Sequence, residues 1–364
     1  MIIKSIELAD YRNYESLQMK FSDGTNILYG DNAQGKTNIL EAIYVSATTK
    51  SHKGSKDKEI VNFNKEEAHI RTYIEKEGIE TRVDMHLRKS KSKGIAIDGQ
   101  KIKKAADLLG LCNVVFFSPE DLAIIKNGPA ERRRFVDMEL CQLDNFYLYN
   151  LNHYNKIVNQ RNKLLKDMYF HPDLKETLNI WDMQLVSYGT KIIERRRLFV
   201  EQLNEIIFDI HKKLSGEKEE LVIHYEPDVE IEDFESKMKM AQDKDIKSKM
   251  TSVGPHRDDF SFYINGLDIR KYGSQGQQRT AALSLKLSEI ELVKKITKDN
   301  PILLLDDVLS ELDSNRQNYL LSSIGNIQTI ITCTGLEEFV SNRFQIDSVY
   351  NVSNGTVTYM SNNE

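Results

Sequence analysis

Cysteine is scarce in this sequence: Cys112, Cys141 and Cys333 are the only three, far apart, odd in number and never spaced as C-x-x-C. That excludes a disulfide framework and a clustered zinc site, and it points to a reducing, cytoplasmic setting. Long apolar runs are missing too. No stretch of about 18 apolar residues occurs, and the opening Met1-Ile2-Ile3-Lys4 leads into no long apolar segment, so neither a membrane span nor an export signal is expected. Positive charge is not in excess: the formal net charge is −5, unlike a generic basic nucleic-acid binder.

What is present is enough for two ordinary domains with their own cores, 364 residues of which 40% are hydrophobic and 29% charged. The charge is unevenly placed. Arg88, Lys89, Lys91, Lys93, Lys101, Lys103 and Lys104 stand against Asp98 alone, whereas Glu219, Glu220, Glu226, Asp228, Glu230, Glu232 and Asp233 crowd a later stretch. Patches of this kind suit a cleft or a rim.

Ile2, Ile6 and Leu8 alternate with polar residues and Thr25 to Tyr29 is a short apolar run ending at Gly30, so the chain opens with strands. Ile39, Leu40 and Ile43 predict a helix after Lys36. Strand patterns at Ala68 to Ile74, Glu80 to Leu87 and Ile95 to Ile97, the last closed by Asp98-Gly99, predict an antiparallel lobe. Beyond Pro119, Ala130 to Tyr169 and Asp173 to Leu214 have helical spacing and contain only Gly189 as a breaker. Phe146, Tyr147, Tyr149 and Tyr154 there read as core packing in preference to a base-stacking platform. A strand at Phe260 to Ile264, a helix from about Gln277 to Lys298, an apolar strand at Pro301 to Leu305, a strand at Gln328 to Thr332 and a hairpin around Asn354-Gly355 follow. The expected fold is α/β. A discontinuous domain, 1–118 with 255–364, encloses a mostly helical lobe, 119–254.

Gly30-Asp31-Asn32-Ala33-Gln34-Gly35-Lys36-Thr37 matches G-x-x-x-x-G-K-[ST], in which backbone N–H groups wrap the phosphates of ATP. Lys36 would reach the β- and γ-phosphates and Thr37 would ligate Mg2+, while the following helix adds its positive end. Ile302 to Leu305 delivers Asp306 and Asp307 to a strand end, where open α/β sheets bind ligands. Asp306 would complete the Mg2+ shell, and Asp307 would orient or deprotonate the attacking water. Gly273-Ser274-Gln275-Gly276-Gln277 opens a helix that Ser274 caps, leaving N–H groups for a second anion site.

With these motifs in this order the chain resembles the ABC-type ATPase heads. In those heads a signature, here Ser274-Gln275-Gly276-Gln277, closes in trans on the γ-phosphate held by the partner's phosphate loop. Ser310-Glu311-Leu312-Asp313 resembles their D-loop. Leu8 to Tyr14, Gly30 to Asn38, Phe116 to Leu122, Gly254 to Asp259, the signature and Asp306 to Asp313 together resemble the RecF family of bacterial recombination mediators. The resemblance implies an ABC-type ATPase head with a phosphate-loop sheet, an antiparallel lobe and an inserted, mostly helical lobe. It implies a slow, DNA-stimulated ATPase of DNA repair, replication and the SOS response. It further implies an ATP-dependent homodimer on gapped duplex, single/double-strand junctions or single-stranded DNA, working with the RecO and RecR proteins, with no membrane partner.

Asp307 stands where ABC transporters usually carry glutamate, which fits hydrolysis acting as a timer. Gln275 replaces a signature glycine, and no switch histidine follows the last core strand, so Thr332 is taken as the γ-phosphate sensor. Arg12 is open between a phosphate contact and an exposed salt bridge. His256-Arg257-Asp258-Asp259 reads as a structural or interlobe element, with dimer contact as the other reading. Arg88, Lys89, Lys91 and Lys93 with Arg132, Arg133 and Arg134 are DNA candidates set against the plainer reading of a solvated charge run. Competing functions are an SMC-like structural chromosome ATPase, a P-loop kinase and a defence nuclease with the same head. The absence of sustained heptads, the signature with its D-loop, and the short stretch after the last core strand argue against them in turn.

Overall fold

The computed structural model describes residues 1–335 and 346–360, and the chain divides into two compact units, 1–121 with 289–364, and 122–288. The first unit opens with β1 (Ile2–Tyr11), β2 (Tyr14–Lys20) and β3 (Thr25–Tyr29), then α1 (Lys36–Thr48) and the short α2 (Asp57–Ile60). Next come β4 (Glu67–Lys76), β5 (Ile79–Arg88), β6 (Gly94–Ile97), β7 (Gln100–Lys101) and β8 (Val114–Phe117). In β4 the buried residues Ala68, Ile70, Thr72 and Ile74 alternate with outward ones, the period of a sheet with one covered face. The sheet runs β2-β1-β4-β5-β6-β7, antiparallel throughout.

The second unit holds α3 (Leu122–Lys126), α4 (Pro129–Leu143), α5 (Asn145–Asp167), α6 (Leu178–Leu214), β9 (Leu221–Glu226), α7 (Phe234–Ser248), β10 (Asp259–Ile264), β11 (Leu267–Asp268), α8 (Ile269–Tyr272) and the start of α9 (Gln275–Thr297). Asp144 separates α4 from α5 by capping the latter, its carboxylate accepting from the N–H groups of Phe146 and Tyr147. Within the aromatic group of α5, Tyr147 and Tyr154 are core residues, whereas Phe146 and Tyr149 are 56% and 49% exposed, so the packing reading holds for half of that group.

Where the sequence placed the return to the first domain at 255, the break lies inside α9, after residue 288. The reason is the pairing of β10. It bonds to β9 and β11 in a separate three-stranded sheet, which keeps it with the helices.

The chain then supplies β12 (Ile302–Asp306), α10 (Ser314–Ile324), β13 (Thr329–Cys333), β14 (Ser348–Ser353) and β15 (Thr356–Met360) to the first unit. They join a six-stranded sheet in the order β15-β14-β3-β13-β12-β8, parallel except at β15. Since β3, β13, β12 and β8 run the same way, their C-terminal ends share one edge, which gathers Gly30, Thr332, Asp306 and Ser118. Helix α1 packs against β4 and β5 of one sheet and β8, β12 and β13 of the other, and is buried on nearly all sides. Among the described residues no helix is long and apolar enough to cross a membrane.

Candidate nucleotide-binding site

The phosphate loop links the end of β3 to the start of α1 and curls through left-handed backbone at Gly30 (φ +148°), Ala33 (φ +63°) and Gly35 (φ +113°). Side chains are excluded at both glycines. A Cβ on Gly30 would stand 2.2 Å from the carbonyl oxygen of Val352, and one on Gly35 would stand 2.7 Å from the Tyr14 hydroxyl. No side chain caps α1 and its first turn carries no acidic residue, so its leading N–H groups face the loop as an anion site. Lys36 is buried, and its ammonium spans the loop by donating to the carbonyls of Gly30 and, at 2.8 Å, Asp31. Burial pulls this lysine below its usual range, and the nearby Asp307, Cys333, Asp306 and Asp31 oppose the shift.

Fully buried β12 carries Asp306 to the same edge. Its Oδ1 accepts from the Thr37 hydroxyl at 2.7 Å and from the Thr332 hydroxyl at 2.8 Å, Thr332 being its register partner on β13. Thr37 and Asp306 thus present two oxygens 2.7 Å apart, near the ~3 Å spacing of adjacent ligands around a cation with 2.1 Å bonds, so they fit Mg2+. Asp307 turns away from the strand with φ +52°, an uncommon conformation for a non-glycine residue, and its N–H donates to Thr332 Oγ1 at 2.9 Å. Thr332 therefore spends its hydroxyl on the two aspartates. Next to it, burial pushes the Cys333 thiol up to about 11, which leaves it uncharged near neutral pH.

A cavity of about 410 Å3 is lined by the phosphate loop, Lys53, Ser118 to Glu120, both aspartates and Thr332. No motif marks Lys53. Three other residues, named in the sequence only within the Leu8–Tyr14 motif and the Asn354-Gly355 hairpin and given no role there, prop the loop. Asn13 donates to the Gln34 carbonyl at 3.1 Å and accepts from Asn38, Tyr14 donates to the Gly35 carbonyl, and the Asn354 N–H bonds Gln34 Oε1. Arg12 lies outside the cavity lining. Its guanidinium is shared among the Glu41 carboxylate, with two contacts at 2.8 Å, the Glu59 carbonyl and Ser55, so of its two readings the geometry supplies the salt bridge.

In the second unit the signature forms a capping box. The Ser274 Oγ accepts from the Gln277 N–H at 3.2 Å and Gln277 Oε1 accepts from the Ser274 N–H at 2.9 Å. Gln275 and Gly276, between them, are the exposed first residues of α9. Asp313 caps α10, accepting from the Arg316 N–H at 3.0 Å.

The basic candidates separate by burial. Arg132 is 2% exposed and grips both carboxylate oxygens of Asp259 at 2.7 and 3.0 Å, which removes it from the DNA candidates. Arg133 is half-buried on the Asp258 carbonyl, and Arg134 is exposed. Arg88 bonds His86, Lys89 the Phe63 carbonyl and Lys93 the Asp57 carboxylate, while Lys91 is exposed.

A larger concavity, about 640 Å3, lies on the outer face of the antiparallel sheet. Beside it Glu67, His69 and His86 form the one metal-type cluster among the described residues. The two rings stack at 4.1 Å and 23°, so their in-plane lone pairs run side by side without converging, and Arg88 donates to His86. That geometry suits no shared cation.

The sequence profile of the RecF/RecN/SMC N terminal domain family matches residues 2–358. The chain is 64% identical over 357 residues to the DNA replication and repair protein RecF of Lachnoclostridium phytofermentans, covering 98% of this chain and 99% of that one. It is 46% identical over 362 residues to that of Clostridium perfringens, with the same shares covered. Its structure is similar to that of the recombination mediator protein RecF-ATP in the RecFOR pathway, with a TM-score of 0.91 at 36% identity over 99% of this chain and 97% of that one. An Smc head bound to the C-winged helix domain of ScpA shares the fold alone, with a TM-score of 0.58 at 17% identity over 100% and 98% of the two chains.

Proposed function

The chain belongs to the RecF family, and from that premise we propose that it is an ATP-dependent DNA-binding protein of recombinational repair and replication that closes as a dimer on DNA and opens after slow hydrolysis. The observation that carries this reading is the 2.7 Å bond from Thr37 to Asp306, 269 residues apart, at the edge where the phosphate loop meets the paired aspartates. ATP lies with its phosphates against the loop N–H groups and Lys36. Thr37 and Asp306 would hold Mg2+, which would supply charge neutralisation to the triphosphate. Asp307, set off the strand by its left-handed backbone, orients or deprotonates the attacking water.

The partner protomer's signature provides the second half of the site. With its oxygen accepting from the Gln277 N–H, the Ser274 hydroxyl keeps its own proton for a γ-phosphate oxygen. Two shared nucleotides then join two protomers, and loss of the γ-phosphate separates them. DNA contact falls to the exposed basic residues Lys91, Lys101, Lys103, Lys104 and Arg134, and the RecO and RecR proteins are the expected collaborators in loading a recombinase.

Equilibrium binding of a gapped duplex at fixed salt, in Mg-ATP and in Mg-ADP, with sedimentation of the same samples, tests the reading. Tight binding by dimers in ATP alone supports the clamp. Equal binding in both nucleotides, or monomers throughout, removes it.

A further inference from the structure

The acidic stretch that begins near Glu219 contains one side chain that is not simply solvated. Glu219 lies between the end of α6 and β9, with only 22% of its side chain exposed. Its backbone N–H donates to Ser215 Oγ at 3.2 Å, and the next residue, Glu220, exchanges bonds with Asn265 on the β10–β11 turn. The loop therefore fixes where this carboxylate points.

It points two ways. Oε1 accepts from the Nε2 of the signature residue Gln277 at 2.9 Å, and Oε2 meets Nε2 of His211 at 3.3 Å. His211 is fully buried in the last turn of α6, and its Nδ1 lies 2.9 Å from Ser284 Oγ on α9. Ser284 gives its own proton to the Thr280 carbonyl, one turn back on α9. The path runs from α9 through Gln277, Glu219 and His211 and returns to α9, closing a ring of side chains around the base of the signature.

On the reading that this signature meets a nucleotide, we infer that Glu219 is a positioning residue: it fixes the Gln277 amide, and through Gln277 the orientation of Ser274. The Gln277 amide has its oxygen on the Ser274 N–H and its nitrogen on Glu219. With the nitrogen released, the amide is free to rotate, and the cap that directs the Ser274 hydroxyl outward loosens. His211 holds the opposite carboxylate oxygen, so the signature is tied to the long helix α6.

The full chain tests this as Glu219→Ala and Glu219→Gln beside the unaltered protein and Ser274→Arg. Glutamine keeps the bond to Gln277 through its oxygen and can replace the one to His211 with the direction reversed, its amide donating to Nε2 once that nitrogen carries no proton. Alanine keeps neither. Measured are nucleotide affinity of the monomer, melting temperature, and the protein concentration at which Mg-ATP drives dimers in sedimentation.

Glu219→Ala is expected to bind nucleotide normally but to need about tenfold more protein to dimerise, with Glu219→Gln returning near the original value. Normal dimerisation of Glu219→Ala alongside a defective Ser274→Arg overturns the inference and leaves the composite site standing. So does equal weakening of Ala and Gln. Normal dimerisation of Ser274→Arg overturns the composite site itself. If Glu219→Ala fails to fold, Glu219→Met, with the length and without the hydrogen bonds, takes its place.

Discussion

The Thr37 hydroxyl donates to Asp306 Oδ1 at 2.7 Å, joining the first turn of one helix to the end of a strand 269 residues later. Neither residue is a strong nucleophile or base there. What the pair offers is two oxygens at cation-ligand spacing beside a helix start that attracts phosphate. Thr37→Ala is therefore expected to weaken Mg-ATP binding by about tenfold or more while leaving Mg-free nucleotide binding nearly unchanged. A fluorescent nucleotide titrated with and without EDTA reads the difference. Equal losses in both would remove the metal from the argument.

Lys36 is a compact charge lodged against the Gly30 and Asp31 carbonyls. Lys36→Arg keeps the charge but brings a larger, planar head. ATP and ATP-dependent DNA binding should persist, while phosphate release falls about 10²-fold or more because the charge no longer meets the γ-phosphate as bonds break. Turnover near the unaltered rate would contradict that role.

The candidate nucleotide edge was legible in the sequence because the proposed chemistry demands local patterns: glycines where φ is positive, Lys36 and Thr37 at the helix start, and two carboxylates after an apolar strand. The props of the loop were not. Asn13 and Tyr14, at the β1–β2 turn and the start of β2, and Asn354, in the β14–β15 turn, reach the loop only once the sheets are assembled. The second unit hid more. Strand β9 lies in the acidic stretch with only Leu221 and Ile223 buried. Helix α7 buries Phe234, Met238 and Ala241 but otherwise reads as a solvated charged segment, and its inward Asp245 has meaning only opposite Arg161, 84 residues away. Arg132 misled in the same way, as one of three consecutive arginines of which it faces inward.

Ser274 and Gln277 cap α9 reciprocally on an exposed turn. Ser274→Arg replaces a small hydroxyl at the face proposed to receive the partner's γ-phosphate with a long side chain. ATP-induced dimers should vanish in sedimentation, with monomer nucleotide affinity retained. A variant that still dimerises in ATP removes the composite site.

Glu41, with 1% of its side chain exposed, accepts from Arg12, Ser51 and Tyr11. Burial alone would raise its carboxyl, but the Arg12 and Ser51 hydrogen bonds and the Arg12 charge win, and it sits below the usual value of 4.5. The unfolded chain then binds its proton first as pH drops, so this stability is present above about pH 4.5 and lost as pH falls through the folded-state value. Glu41→Gln should cost about 2 kcal/mol at pH 7 and flatten the acid limb, read by amide exchange in α1. An unchanged acid limb would assign it to other carboxylates.

Arg196 is 1% exposed and anchors the HRDD segment: it donates to Asp258 at 2.8 Å, Asp137 at 2.7 Å, the Pro255 carbonyl and Tyr147. Burial raises the Asp258 carboxyl above its usual range, with Arg196 and the Tyr225 hydroxyl opposing the rise. Arg196→Met removes the strongest opposition and leaves the buried Asp258 carboxylate without the Arg196 charge, at a cost of about 3–5 kcal/mol at pH 8. A raised folded-state value means that the native state binds the proton more readily than the unfolded one. The lost stability should therefore partly return on acidification toward pH 5, and adding Asp258→Asn should recover part of it at pH 8. The single tryptophan, Trp181, lies in α6 and reports this unit alone in urea titrations at the two pH values. Equal destabilisation at both would mean that the arginine acts through packing and not through the charge of Asp258.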